Sequence, residues 1–92
     1  MTADENAFIE ALQQKLDMRL ESQGGYPAVI RADTIPGWIV IADVDHDDAP
    51  ALELIRWDDA RRWWRRAKRY HAKHKPSLGW PEALWETEED SQ

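Results

Sequence analysis

Residues 38–43 read Trp-Ile-Val-Ile-Ala-Asp, and both of their alternating sets are apolar. Trp38, Val40 and Ala42 make one set, and Ile39 and Ile41 the other. Successive side chains of a strand point to opposite faces. A strand of this composition is therefore expected at the centre of a sheet, covered on both sides. That one stretch demands neighbouring strands, so the rest of the chain has to supply them.

The segment before it does so after a helix. Thr2–Ser22 has the pattern of an amphipathic helix: Phe8, Ile9, Leu12, Leu16 and Leu20 recur at near-helical spacing. Thr2 and Glu5 stand at capping-box spacing, where each side chain satisfies a free backbone amide of the first turn. Gly24 and Gly25 end the helix, because glycine enters the left-handed region without steric cost. Tyr26–Asp33 then reads as a first strand, with β-branched Val29 and Ile30 and with Pro27 tolerable at its start. Pro36-Gly37 supplies the turn into the Trp38–Asp43 strand.

Val44–Pro50 is an acidic loop. Ala51–Trp57 fits neither period cleanly; it reads as a third strand, or as a helix opened by Pro50 that runs on into the next segment. In the strand reading, Asp58 becomes the N-cap of the following helix. Asp58–His74 is that helix, with Ala60, Trp63, Trp64, Ala67, Tyr70, His71 and His74 on one broad face. Pro81–Glu86 predicts a short helical turn that docks through Trp80, Leu84 and Trp85. The expected fold class is thus α+β, in the order α-β-β-β-α plus a short C-terminal helical turn. Its sheet is three-stranded and antiparallel, with the helices on one face. Residues 1–86 form a single domain, and 87–92 an acidic frayed tail. The outer face of the central strand is left needing a cover: the Trp-rich tail, a second copy or a partner.

Charge is distributed unevenly. The segment 58–75 holds eight of the twelve Lys and Arg residues, and the chain as a whole carries −6. A basic helix is therefore set between two acidic stretches. The absence of cysteine excludes disulfides, thiolate nucleophiles and Cys-based zinc sites. The acidic N-terminus is unlike a signal peptide, and no apolar run approaches the roughly 20 residues of a membrane-spanning helix, so a cytoplasmic location is expected.

Nothing in the chain has the spacing of a catalytic or cofactor motif, and no enzyme activity, cofactor or metal is expected. Asp43, Asp45 and Asp47 have D-x-D-x-D spacing, but Asp48 stands where a calcium loop needs Gly, and Leu54 where it needs Glu. His71 and His74 lie three apart on the helix, without the H-E-x-x-H pattern. Six Trp residues supply bulk for the core of a 92-residue chain.

The basic helix has three readings. Its arginines can be balanced internally, by the tail (Glu82, Glu86, Glu88, Glu89) and by carboxylates of the first helix. Arg61, Arg62, Arg65, Arg66 and Arg69 can instead engage acidic protein surface, since Trp and Arg are the types most enriched at binding hot spots. Asp43, Asp45, Asp47, Asp48, Glu86, Glu88 and Glu89 would then engage basic surface, carboxylates standing in for phosphates. Third, the same arginines can contact nucleic-acid phosphates. The element order resembles that of the double-stranded-RNA-binding domain, and this resemblance implies a second helix turned to the RNA backbone. The glycine-rich loop and Lys-Lys pair of that family have no counterpart at Trp57–Ala60. In size, acidity and element order the chain is also similar to small phage-encoded inhibitors of bacterial defence, including some anti-CRISPR proteins. The expected function is therefore a non-enzymatic modulator that binds a larger, nucleic-acid-handling protein partner. Direct RNA or DNA binding is the alternative, and a homodimeric regulatory or structural protein the third reading.

Overall fold

The capping box forms as the sequence implies. In the computed structural model, which describes residues 1–44, 52–74 and 78–88, the first helix, α1, runs over Ala3–Gln23 with Thr2 as N-cap. The Glu5 amide donates to the Thr2 hydroxyl at 3.0 Å, and the Thr2 amide donates to the Glu5 carboxylate at 2.9 Å. Gly24 closes the helix at φ +77, its amide bonded to the Leu20 carbonyl.

Three strands follow: β1 (Ala28–Ile35), β2 (Trp38–Asp43) and β3 (Leu52–Arg56). They form an antiparallel sheet in the order β1-β2-β3, so β2 is central. Gly37, at φ +83, makes the tight turn between β1 and β2, a conformation that suits glycine. The ladder is regular from Ala28↔Asp43 to Arg31↔Val40, then shifts before Ile35↔Trp38. All five residues of β3 pair with β2 without interruption. Residues 52–56 are therefore a strand, Trp57 already belongs to the basic helix, and Ala51 lies outside the described residues.

The second helix, α2, spans Trp57–His74 and follows β3 with no loop between them. The Trp57 amide donates to the Gly37 carbonyl at 3.0 Å, while its indole N–H reaches the Ala32 carbonyl at 3.4 Å. These bonds hold the helix start at Trp57, two residues earlier than an Asp58 cap predicts. Asp58 thus lies in the first turn, where it accepts from Arg61 and suits the positive end of the helix. The last helix, α3, spans Trp80–Glu86. It begins after Gly79, with Pro81 in its first turn, where no intrahelical donor is needed.

One cluster forms the core. It joins Phe8, Leu12 and Leu16 of α1, Ile39 and Ile41 of β2, Ala60, Trp63, Trp64 and Ala67 of α2, and Ala83 and Leu84 of α3. All three helices therefore lie over the face of the sheet that carries Ile39 and Ile41. Phe8 meets Trp63 and Trp64 edge-on, with ring centres 5.7 and 5.8 Å away. The Trp63 indole donates to the Leu84 carbonyl at 3.0 Å and ties α3 to α2. No helix among the described residues is long and apolar enough to cross a membrane.

Candidate binding surfaces

The open question of the central strand resolves against the tail. α3 packs against α1 and α2, and its Ala83 and Leu84 belong to the helix-side core. The opposite face of the sheet carries the other alternating set. In register, Val29, Ala42 and Leu52 make one row, Arg31, Val40 and Leu54 the next, and Ile35, Trp38 and Arg56 the third. Val40 is buried between its neighbours, while Leu52 is 63% exposed, Leu54 49% and Val29 38%. The Arg56 guanidinium lies 5.8 Å from the Trp38 ring centre, a cation–π contact at one end of the face. The outer face is thus apolar along its middle, with Arg31 and Arg56 beside it.

The basic helix is partly balanced from within. Arg61 donates to Glu5 of α1 at 3.2 Å and to Asp58 at 3.1 Å. Arg62 pairs with Asp59 one turn back. Arg66 donates to the Thr87 carbonyl at 3.3 Å. Lys68 pairs with Asp4 at 3.1 Å. Arg65, Arg69 and Lys73 make no ion pair among the described residues. The α1 carboxylates thus take up the role expected of them. At the tail, Glu88 pairs with Lys15 at 3.2 Å.

Of the acidic residues singled out in the sequence, Asp43 ends β2 opposite Ala28. Glu86 ends α3, and Glu88 follows it with its amide donating to the Trp85 carbonyl at 3.4 Å. Asp45, Asp47, Asp48 and Glu89 lie outside the described residues. The basic residues of α2 and the apolar outer face belong to opposite layers of the molecule. His71 is stacked on Trp80, ring centres 3.7 Å apart and planes 9° from parallel, and His74 lies beside Tyr70. The two histidines therefore have aromatic neighbours that hold them in place.

Lys15 is the residue that residue-type reasoning passes over. It is 4% exposed, and its ammonium lies 3.2 Å from Glu88 and 5.2 Å from the Trp85 ring centre. Its stem fills the apolar stripe of α1 while the charge holds the end of α3. The available signal is positional: residue 15 lies seven after Phe8 and three after Leu12, on the apolar stripe itself.

The first turn of α1 is an electrostatic junction. The Trp64 indole donates to Asp4 at 2.9 Å, and that bond, with the Lys68 ammonium, lowers the Asp4 pKa from its ordinary 3.8. The Thr2 amide, helped by the Thr2 hydroxyl and Arg61, lowers the Glu5 pKa from 4.5. Each carboxyl therefore binds protons more weakly when folded, and protonation favours unfolding. This contribution to stability is complete above the unfolded pKa values. It is lost as pH falls below about 4.5 and through the lower folded values. We expect Asp4→Asn to be less stable than wild type at pH 7 and to lose less between pH 5 and 3. Thermal melts across that range check this; parallel losses in both proteins would remove Asp4 as a contributor.

Neither a protein-family model, nor a curated protein, nor a solved structure matches the chain.

Proposed function

We propose that this is a small non-enzymatic binding protein that docks on a larger protein partner through the outer face of its sheet. The observation that carries the reading is that face: an apolar strip of Val29, Leu52 and Leu54 that α3 does not cover. Arg31 and Arg56 beside it favour a partner whose apolar residues are flanked by carboxylates. Size argues for a larger partner over a second copy. Three strands about 4.8 Å apart and five residues long span a footprint of roughly 250 Å². A stable interface needs about 800 Å² from each side. Two copies stacked on this strip alone fall short, whereas a larger protein can extend past it onto the strand edges and loops.

Direct nucleic-acid binding is the less favoured alternative. Arg61, Arg62 and Lys68 already face carboxylates, which takes three of the seven Lys and Arg residues of α2 out of ready reach of phosphates. The net charge of −6 opposes it as well. The narrower form of the proposal has a nucleic-acid-handling complex as partner, as for the phage-encoded inhibitors of bacterial defence. It draws its support from the acidic character of the chain alone.

The test is affinity capture with the wild type and with Leu52→Asp/Leu54→Asp, with and without nuclease. Both leucines are exposed, so the double variant is expected to fold, and its melting temperature checks that. A protein held by the wild type after nuclease, and retained at least about tenfold less by the variant, is the expected result. Equal retention by both proteins would sink the outer-face proposal. Recovery that vanishes on digestion would transfer the function to nucleic acid. A dimer in sedimentation that Leu54→Asp abolishes would favour self-association.

A further inference from the structure

A second site lies on the opposite layer, where the first turn of α1 meets α2. Trp57, Ala60, Arg61, Trp64, Arg65 and Lys68 recur at helical spacing along one stripe of α2, and all of them line a cleft of about 410 Å³. That size falls within the range of small-molecule pockets. Phe8 and Trp64 form the floor, and Trp57 is a half-buried wall.

The charges of the cleft form an incomplete ladder. Arg61, Arg65 and Lys68 stand on successive turns of α2. Glu5 meets Arg61 at 3.2 Å and Asp4 meets Lys68 at 3.1 Å, each pair spanning from one helix to the other. Arg65, between them, lines the cleft, is exposed and has no carboxylate partner among the described residues. Within the lining the two outer pairs cancel, which leaves a single formal positive charge, on Arg65; Asp58, outside the lining, is a second partner of Arg61.

We propose that this cleft binds a small aromatic monocarboxylate, its carboxylate on Arg65 and its ring in the apolar part of the cleft beside Trp57. The planar guanidinium fork matches a carboxylate through two parallel hydrogen bonds. A flat ring suits aromatic walls, which favour edge-to-face and offset contacts. Asp4 and Glu5 set the charge limit, because a dianion would gain one cation and meet two carboxylates. The site is independent of the outer sheet face, so failure of either proposal leaves the other standing.

The probe is indole-3-acetate, titrated against the full chain and followed through the indole N–H signals of the six tryptophans by NMR. We expect saturation at or below about 1 mM and shifts at Trp57 and Trp64. Trp38, across the sheet, serves as the unshifted reference. Indole-3-acetamide, which keeps the ring and loses the charge, is expected to bind about tenfold more weakly. Arg65→Gln should lose a similar factor, whereas Arg69→Gln, one turn further on and outside the cleft, should bind as the wild type does. Affinity should fall with added salt, since the cleft is open to solvent. Absence of saturation by about 10 mM would overturn the proposal. So would equal binding of acid and amide, or undiminished binding by a folded Arg65→Gln variant.

Discussion

Phe8→Ala is expected to lower the free energy of unfolding by about 3–5 kcal/mol, read from urea unfolding followed by tryptophan fluorescence. The phenyl ring is 1% exposed and is wedged against two indoles, edge-on to each. Its removal forfeits the transfer energy of the ring and leaves a cavity bounded by Trp63 and Trp64, whose backbones sit in a helix and cannot collapse inward freely. Each edge-to-face contact adds about 0.5–1.5 kcal/mol to that loss. A domain of this length has a total of about 5–15 kcal/mol, so the variant should be close to half unfolded under mild denaturant. Phe8→Leu keeps most of the volume and should cost about 1 kcal/mol. A loss below about 1.5 kcal/mol for Phe8→Ala would mean that the helix layer is not held at this cluster.

Lys15→Glu is the second large effect, and it separates charge from packing. The Lys15 ammonium is enclosed by Trp63, Trp85 and the Glu88 carboxylate. A glutamate there would place a second carboxylate against Glu88 in a site where the lysine side chain is only 5% exposed. An uncompensated charge so placed costs about 3–5 kcal/mol. Lys15→Met keeps the apolar stem, removes the charge and should stay within about 1.5 kcal/mol of wild type. The double variant Lys15→Glu/Glu88→Lys restores opposite signs and should recover at least half of the loss. Thermal melts of these proteins and of Glu88→Lys, which completes the double-mutant cycle, test this. If Lys15→Glu and Lys15→Met melt together, the charge at position 15 has no part in holding α3. If the double variant recovers nothing, Glu88 is not its partner.

Both variants probe contacts that differ in how far the sequence discloses them. Phe8 stands out in the sequence, because it opens an apolar stripe at helical spacing. Lys15 does not, because residue type argues for the surface and only its position on that stripe argues otherwise. The same division runs through the candidate surfaces. That the 58–74 segment is a basic amphipathic helix follows from its spacing alone. Which of its cations are free does not: Arg61 reaches Glu5, 56 residues away, and Lys68 reaches Asp4, 64 residues away.

Local signals determined the elements of this protein. The Thr2–Glu5 capping box, the glycines at 24 and 25, the Pro36-Gly37 turn and the two apolar sets of residues 38–43 act within a few residues of one another. They placed α1, the first hairpin and the central strand, and with short connections they implied the antiparallel three-stranded sheet. Tertiary structure alone decided three further things. It set α3 into the helix layer, where Trp63 and Lys15 hold it, and so left the outer face of the sheet without that cover. It brought the carboxylates of α1 to Arg61 and Lys68 while passing over Arg65. It also started α2 at Trp57, through bonds to Gly37 and Ala32 in the preceding hairpin. Each of these depends on the relative position of elements distant in sequence. Periodicity shows which face of an element is buried, but the partner it meets is settled only when the core closes.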